Sequence, residues 1–511
     1  MPSRWRSHRR STGPEAVSEG AGPLRVLLDM FRAADGHAGI PQESRLLFRG
    51  LAMLEDVQLE GLMQSGTRLL SAGLPAPGSA RLARMPVNEQ AIRLGRLVIT
   101  IEENRWPPIV TVLYSIASVL RGLCGGSQTL SYFSGPQFRD YLWWRYFART
   151  LPPEDIDLVT RIGFRVARMP WVAMQLCGYV PDKVGLPVLY PRLDTSNVDV
   201  LIAQTPFPAS VSGRTALVVR YHDTFPVTTP YTIGERHYHQ AFHYQALRHN
   251  VAKRAWFACV SEATRQDLLS LFPQVADRSV AIHNMVSHHY FDELSTPERV
   301  PEILKMRRVE SPHVPAGDER ASPAPDYLLV VSRFELRKNH LAVLAAWEHL
   351  RSTRFPALQL ITVGNVDAHQ DATLEKFRPW IEKGLVHMLE KVPSPELRLL
   401  YKHARATICP SVAEGFDYAG VEAMRCGGIV VASDIPVHRE IYADAAVYFK
   451  PHDHGEAVHA IESVIDPAQV ARRDELVARG AAVSARYLSD AIMPQWQQFL
   501  RTLAVGRSGR S

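Results

Sequence analysis

The chain has 511 residues, of which 46% are hydrophobic and 22% charged, and its formal net charge is +6. This composition is typical of globular proteins and excludes a mini-protein, a collagen-like chain and a largely disordered chain. At roughly 100 to 200 residues per domain, the length predicts two to four domains. Four of the positive charges, Arg4, Arg6, Arg9 and Arg10, lie in the first ten residues. The basicity is therefore partly that of a flexible tail over 1–22, and we expect no nucleic-acid partner.

Five cysteines, scattered without a C-x-x-C pair, predict neither a disulfide framework nor a zinc cluster. No apolar run of signal-peptide length follows the basic N-terminus. The mostly apolar stretch from Trp106 to Leu120 is shorter than the roughly 20 residues that a spanning helix needs. We therefore expect a cytoplasmic protein without a transmembrane helix.

The first half of the chain begins with a predicted strand at Leu24 to Leu28, a loop containing Gly36 and Gly39, and a helix from about Gln42. Two further apolar runs, Leu217 to Tyr221 and Trp256 to Val260, are predicted as buried strands. Between them, residues 75–195 are rich in Pro, Trp and Arg. We interpret much of this stretch as an insertion into the first domain.

An aromatic cluster lies within this insertion, over Tyr141 to Phe147, with Arg161, Arg165 and Arg168 following it. Rings combined with positive charge are found in segments that lie at a membrane interface. Such a segment would suit an enzyme that holds a lipid-linked acceptor. The alternative is that the cluster forms ordinary core and surface of the inserted region.

The second half alternates short β-branched runs with helical patterns, as in a parallel sheet covered on both faces. Ser394, Pro395 and Glu396 open one of these helices, with Ser394 as the predicted N-cap. Pro-rich residues from Val309 to Pro325 are predicted to link the halves, and the final segment, Leu476 to Leu503, is helical in pattern. The predicted strands are Tyr327 to Ser332, Leu358 to Val363, Leu385 to Leu389, Ala406 to Cys409, Ile429 to Ser433 and Ala446 to Phe449. The fold class is therefore α/β with Rossmann-like domains.

Ligands of such sheets bind outside the carboxyl ends of the strands, so the residues after each strand indicate the chemistry. Arg333, Arg337 and Lys338 follow one predicted strand, and such cations suit a diphosphate. After another strand, Glu414 and Glu422 flank a glycine-containing loop that leads into a helix. Carboxylates beside a phosphate site are repelled unless they bind sugar hydroxyls. The pattern predicts a substrate with both phosphate and polyol groups.

These segments, at this order and spacing, resemble retaining GT-B-type glycosyltransferases of family 4, whose E-x7-E signature matches Glu414 to Glu422. The other matching segments are Ser332-Arg333, Arg337 to His340, Glu414-Gly415-Phe416, Glu422 to Met424, Ser433 to Pro436 and Arg439-Glu440, with Tyr221 to Pro226, Val260 to Thr264 and Ile282 to Asn284 in the first half. The resemblance implies two Rossmann-like domains that face a cleft. It places an acceptor-side domain at 23–300, a donor domain at 301–475 and returning helices at 476–511.

The resemblance also implies roles for individual residues. Arg333 and Lys338 would hold the diphosphate of a nucleotide sugar, and Glu414 would contact the hydroxyls of the donor sugar. Glu422 would bind the ribose, and His222 would approach the sugar from the other domain. Donor-binding residues would further include Gly415, Phe416, Asp417 and Gly39. The family often has glycine where this chain has Asp417, which predicts either an altered choice of sugar or a side chain that points into solvent.

Family members generally work without a metal, so we expect no cofactor. Glu235, His239 and His243 share one face of a predicted helix, but no fourth ligand is evident, and no metal site is predicted. The expected activity is hexosyl transfer, with GDP-mannose favoured over a UDP-sugar, to a glycan or lipid-linked acceptor in polysaccharide or lipopolysaccharide assembly at the inner face of the membrane. The alternatives are a catalytically silent GT-B partner protein, and a sugar-nucleotide epimerase or a phosphorylase.

Overall fold

A computed structural model describes residues 22–37, 39–183, 185, 188–232, 236–309, 324–365 and 371–508. The predicted basic tail, apart from its last residue, lies outside these residues, as does most of the predicted linker from Val309 to Pro325. Glu235 also lies outside them.

The first sheet has eight strands in the order β10-β9-β8-β7-β1-β2-β5-β4 over the described residues. All neighbours pair in parallel except β4, which runs antiparallel to β5 at the edge. Two short strands, β3 and β6, pair with each other outside this sheet. The strands are β1 (Leu24–Asp29), β2 (Val57–Met63), β3 (Gln128–Thr129), β4 (Ser131–Phe133), β5 (Phe164–Val166), β6 (Leu193–Asp194), β7 (Val200–Ala203), β8 (Ala216–Tyr221), β9 (Trp256–Cys259) and β10 (Ser279–Ala281).

The second sheet has six parallel strands in the order β13-β12-β11-β14-β15-β16. Its strands are β11 (Tyr327–Val331), β12 (Gln359–Val363), β13 (Val386–Leu389), β14 (Ala406–Cys409), β15 (Val430–Ser433) and β16 (Ala446–Phe449). All six predicted strands are confirmed: they are mostly apolar and buried, as in a sheet covered on both faces, although Val447 and Tyr448 of the edge strand β16 are half-buried.

Helices cover both sheets. Those that precede or follow strands of the first sheet are α1 (Ile40–Ala52), α2 (Ala80–Ala83), α3 (Val87–Glu102), α4 (Pro108–Leu123), α5 (Arg139–Leu142), α6 (Ile156–Thr160), α7 (Trp171–Lys183), α8 (Phe225–Thr228), α9 (Arg236–Ala252) and α10 (Glu262–Leu271). Those of the second half are α11 (Val300–Arg307), α12 (His340–Thr353), α13 (Asp371–Glu382), α14 (Ser394–His403), α15 (Tyr418–Arg425), α16 (Pro436–Tyr442), α17 (His454–Ile465), α18 (Val470–Ala485) and α19 (Ser489–Ser508). Ser394 is the first residue of α14 and not its cap, which is Pro393.

The last helix, α19, packs into the core of the first sheet. Its residues Ile492, Trp496 and Leu500 are buried in the same cluster as Val26 of β1. Gly50 of α1 permits this approach, because a Cβ at that position would lie 2.3 Å from the sulfur of Met493. The chain therefore returns to its first domain after completing the second sheet.

The aromatic cluster over Tyr141 to Phe147 belongs to the core, so its interpretation as a membrane-interface segment is wrong. Trp143, Tyr146 and Phe147 are buried by a single π-helical turn, and Trp144 alone of the cluster's tryptophans is exposed. Arg165, which follows the cluster, is also buried and paired with Glu60 at 2.5 Å. No helix among the described residues is long and apolar enough to cross a bilayer.

Candidate active site

The carboxyl ends of the two sheets face each other across a cleft. Gly415, after β14, accepts a hydrogen bond through its carbonyl from Ser261 Oγ, after β9, at 2.8 Å. Glu440 of α16 accepts from the backbone N–H groups of Glu262 and Ala263 at 2.7 and 2.9 Å, and so caps the start of α10 in the other domain. The segments that resemble the family's motifs therefore meet at this cleft.

The backbones of the two halves lie very close together at Gly415. A Cβ placed there would lie 1.9 Å from the carbonyl oxygen of His222, which follows β8. No side chain fits at that separation, so glycine is required by packing and not by its backbone angles. The approach brings the donor-domain loop against the residue that the sequence predicts to reach the sugar from the other domain.

Glu414 is held between two cations. Its Oε1 lies 2.5 Å from Lys338 Nζ, and its Oε2 lies 2.7 Å from Arg337 Nη1. Burial would raise the pKa of Glu414, but the charges of Arg337 and Lys338 hold that pKa below its usual value. The carboxylate is therefore ionised and able to accept hydrogen bonds from hydroxyl groups.

Arg337 is one of the cations predicted after the strand β11, but the resemblance gave it no role of its own. Burial would lower its pKa, but Glu414, Glu335 and Asp223 raise it instead. Its guanidinium also lies 4.8 Å from the ring of Phe225 in the first domain. Arg337 and Lys338 are adjacent in the sequence after β11. The sequence alone does not show that both side chains pair with Glu414.

Arg333 differs from both of these cations because it is available to a ligand. Its side chain is 66% exposed, and its nearest paired carboxylate, Glu335 Oε1, lies 3.9 Å away. It follows β11 directly, at the carboxyl edge of the sheet where phosphate groups are bound in Rossmann-like folds. The carboxyl edge of β11 therefore carries one exposed guanidinium in addition to the paired Lys338 and Glu414.

Asp417 is the N-cap of α15 and has a left-handed backbone, with φ at +49°. Its carboxylate accepts from the N–H of Ala419 at 3.4 Å and lies 3.1 Å from His438 Nε2. Burial would raise the pKa of Asp417, but His438 and Lys338 lower it well below its usual value. The side chain is buried, so the prediction that it points into solvent is wrong. A role in donor binding remains a prediction.

Phe416 is buried, and its ring packs 5.2 Å from that of Tyr418 and 5.3 Å from that of Tyr487. Its side chain therefore anchors the loop that follows β14. Gly39 has φ at +71° and precedes α1, the helix whose first turn enters the interface between the domains.

Glu422 lies in the second turn of α15, buried between the domains. Its Oε1 accepts from Gln42 Nε2 of α1 at 3.0 Å, and its Oε2 accepts from the hydroxyl of Tyr401 at 3.1 Å. Burial raises the pKa of Glu422 to about 7, although these donors partly offset the rise. The second carboxylate of the signature is thus shared between both halves of the chain.

Three polar side chains lie at the carboxyl ends of neighbouring strands, and the sequence predicted a site role for His222 but not for Asp29 or Gln204. Asp29 ends β1, Gln204 follows β7 and His222 follows β8, and these strands are adjacent in the sheet. Asp29 Oδ2, both amide atoms of Gln204 and His222 Nε2 are buried without a hydrogen-bond partner among the described residues. Burial raises the pKa of Asp29 to about 6 and lowers that of His222 well below its usual value. Buried polar atoms without partners are expected to meet a polar ligand.

A buried ion pair supports this edge of the sheet. Arg220 and Glu43 are fully buried and lie 2.9 Å apart. Glu43 Oε2 also accepts from the hydroxyl of Tyr418 in the second domain at 3.2 Å, and Arg220 lies 5.3 Å from the ring of Trp496 in α19. One network therefore connects α1, β8, α15 and the last helix.

Metal ligands do not converge within the part of the chain that the structure describes: no group of three or more His, Cys, Asp and Glu side chains could hold an ion there. His243, from the predicted helix face, lies 3.2 Å from the hydroxyl of Tyr221. That the protein needs no metal stays a prediction.

Comparison with known proteins places this site in a family. Residues 318–480 match the family described as glycosyl transferases group 1. The chain is 26% identical over 273 residues to O-antigen chain mannosyltransferase B of Escherichia coli. The aligned stretch covers 53% of this chain and 66% of that protein. It is 37% identical over 98 residues to O-antigen chain mannosyltransferase RfbU of Salmonella typhimurium, covering 19% of this chain and 28% of the relative. The matched stretch thus spans less than two thirds of either relative.

Among solved structures, sucrose-phosphate synthase from Thermosynechococcus elongatus superposes with a TM-score of 0.54 at 15% identity, over 94% of this chain and all of that one. At this identity the likeness concerns the fold, which is that of GT-B glycosyltransferases. The predicted fold class is thereby confirmed. Residues 318–480 thus match the group 1 glycosyltransferases, as the sequence resemblance predicts, and the fold agrees with that match.

Proposed function

We propose that this protein is a retaining hexosyltransferase that moves mannose from GDP-mannose to a hydroxyl of a glycan or lipid-linked acceptor, on the cytoplasmic side of a membrane that bears surface polysaccharide. The observation that carries the proposal is the Lys338–Glu414 pair, which lies with the exposed Arg333 at the carboxyl ends of β11 and β14. The mannosyltransferase relatives support mannose as the sugar, with a UDP-sugar as the alternative donor.

In this proposal Arg333 and Lys338 bind the diphosphate, whose negative charge grows as the glycosidic bond breaks. Cations placed where charge develops stabilise the transition state more than the ground state. Glu414, ionised and fixed by Arg337, accepts hydrogen bonds from donor-sugar hydroxyls. Glu422 accepts from the ribose, in place of its bond from Gln42.

Transfer with retention then proceeds on one face of the sugar. The bond from the anomeric carbon to the diphosphate oxygen breaks, and the bond to the acceptor oxygen forms on the same face. The acceptor's proton passes to the departing phosphate oxygen. Asp29, Gln204 and His222 lie at the sheet edge opposite the donor loop, and their unpartnered polar atoms are suited to orient the acceptor hydroxyl groups.

A transfer assay with GDP-mannose and UDP-glucose tests the proposal. Glu414→Gln, Arg333→Ala and Lys338→Ala are each expected to lower the rate at least about tenfold, the loss of one charge-stabilising contact. Arg472→Ala, an exposed arginine of α18, is the matched control and should keep the wild-type rate. Wild-type rates in all three site variants would reject the site. A separate thermal-shift measurement distinguishes the bases: a rise in melting temperature with GDP but not with UDP would support the guanine donor.

A further inference from the structure

Helix α4 of the inserted region carries its aliphatic residues outward. Ile109, Leu113, Ile116, Leu120 and Leu123 are each between 52% and 60% exposed. At about 100° per residue, these positions fall within one stripe of the helix surface. An ordinary surface helix buries such a stripe, so this helix has the reverse of the usual arrangement.

The opposite face of α4 is polar and faces a cavity. Tyr114, Ser118 and Arg121 line a cavity of about 610 Å³ that lies between α4, α2, α3 and the β4–β5 edge of the sheet. Ser118 is buried on this side. The helix thus separates an apolar outer surface from a polar interior space.

The cavity is strongly cationic. Five arginines line it, against the single carboxylate of Asp194; they are Arg81, Arg93, Arg121, Arg165 and Arg168. Arg165 is paired with Glu60 and Arg93 with Glu89. The other three arginines pair with no carboxylate of the described residues, which leaves an excess of positive charge beside α4. Arg81 and Arg121 are exposed, so this charge reaches the rim.

Neighbouring helix α7 enlarges the apolar surface. It contacts α4 and exposes Val172, Leu176 and Val180, which recur every four residues on one face. Exposed apolar residues on two helices that contact each other mark an interaction site with protein or membrane. Arginines on the polar side of an outward apolar stripe are characteristic of helices that lie in the interface of an anionic bilayer.

We propose that α4, with the adjoining face of α7, docks on a bilayer of anionic phospholipid, and that the arginine-lined cavity takes a lipid phosphate. The aliphatic stripe enters the acyl boundary while Arg81 and Arg121 meet headgroups. Arg168, which follows the carboxyl end of β5, and His222, which follows β8, lie on the same edge of one parallel sheet. Docking would therefore present the acceptor side of the cleft toward the membrane.

Co-sedimentation of the full chain with vesicles tests this. Binding to phosphatidylcholine vesicles containing 30% phosphatidylglycerol, roughly the anionic share of a bacterial-type surface, is expected to exceed binding to pure phosphatidylcholine at least about tenfold and to weaken with salt. Ile116→Ser/Leu120→Ser and Arg81→Ala/Arg121→Ala should each lower binding about tenfold or more. Val470→Ser, equally exposed on α18, and Arg472→Ala are the controls and should bind as wild type.

Three results would overturn the proposal. One is equal binding to charged and neutral vesicles, and another is wild-type binding by both site variants. The third is that the protein does not bind vesicles, while pyrophosphate raises its melting temperature and Arg81→Ala/Arg121→Ala abolishes that rise. This result would assign the cavity to a soluble phosphate. Circular dichroism of the variants establishes that each is folded. Because the readout is binding, it can fail or succeed independently of glycosyl transfer.

Discussion

The backbone of Gly415 touches that of His222 across the cleft, with room for a hydrogen atom but not for a Cβ, which would lie 1.9 Å from the His222 carbonyl oxygen. The carbonyl of Gly415 is at the same time bound by Ser261 and, at 3.3 Å, by Thr264 Oγ1. The position of the loop after β14 relative to the first domain is thus fixed through Gly415.

Gly415→Ala is therefore expected to force the domains apart. Because the clash is with backbone, neither side can yield cheaply, and the transfer rate should fall at least about tenfold through misplacement of the reacting groups. Small-angle scattering should show a larger radius of gyration. Gly455→Ala is the matched control, since its Cβ meets only Asp453 Oδ1 at an ordinary 3.5 Å. A variant with wild-type rate and scattering would show that the contact does not hold the domains.

Asp417 combines a positive φ with a capping side chain, and two substitutions separate these features. Asp417→Gly and Asp417→Ala both lose the cap and the His438 contact, but only alanine retains the cost of the left-handed backbone. The glycine variant is expected to be more stable by about 1 kcal/mol. Thermal or denaturant unfolding of both measures the difference, and equal stability would indicate that the backbone relaxes.

Glu422 should make donor binding dependent on pH. With its pKa raised to about 7, the carboxyl is largely protonated at pH 6 and ionised at pH 8. Ribose hydroxyl donors stabilise the ionised form, so GDP-mannose binding below pH 7 releases a proton and the affinity rises with pH from 6 to 8. Calorimetry in two buffers of different ionisation enthalpy measures the proton. Glu422→Gln should remove the pH dependence of the GDP-mannose affinity, whereas Glu475→Gln, an exposed control, should leave it unchanged. If the pH dependence persists in Glu422→Gln, another group is responsible for it.

The Arg220–Glu43 pair should be costly to break. Glu43→Ala leaves a fully buried guanidinium partly unpaired and is expected to cost about 3 kcal/mol or more. Tyr418→Phe removes one hydrogen bond to the same carboxylate and should cost about 1 kcal/mol. In the double variant the loss of unfolding free energy should be smaller than the sum of the losses in the two single variants, because both substitutions act through Glu43. Strict additivity in a double-mutant cycle would show that the two contacts are independent.

Asp29 should affect the acceptor and not the donor. Asp29→Asn removes a charge near the unpartnered atoms of Gln204 and His222, and the KM for acceptor is expected to rise about tenfold, a loss typical of a hydrogen bond to a charged group. The Kd of GDP-mannose should stay unchanged. A rise in donor Kd of the same size would instead place Asp29 at the donor.

The sequence predicted the second sheet well because its strands are continuous apolar runs between helices. It missed β2, where Glu60 interrupts the pattern to pair with Arg165 from a strand about 100 residues away. Local patterning cannot reveal such a partner. The order and spacing of the motifs after β11 and β14 are what led to the prediction of a site there, and their roles stay a prediction. Asp29 and Gln204 stand alone at strand ends, and only the neighbouring positions of β1 and β7 bring them together.

The inserted region shows a different limit. The rings and arginines at Tyr141 to Phe147 left two readings open, a membrane-interface segment and ordinary core and surface, and the structure confirms the second. The length of the aliphatic run at Trp106 to Leu120 argues against a spanning helix, in agreement with the described residues, but length does not indicate which way the apolar face of a helix points. Whether the apolar stripe of a helix faces the core or the solvent depends on which other elements pack against that helix. The sequence alone does not show this packing.

The return of α19 to the first domain means that this domain is discontinuous in the chain. Its core is completed by Ile492, Trp496 and Leu500, which follow β1 by more than 460 residues. During synthesis, the first domain cannot close its core until the entire second domain has left the ribosome. The two domains must therefore complete their folding together, and a fragment that ends before α19 would lack part of the core of the first domain.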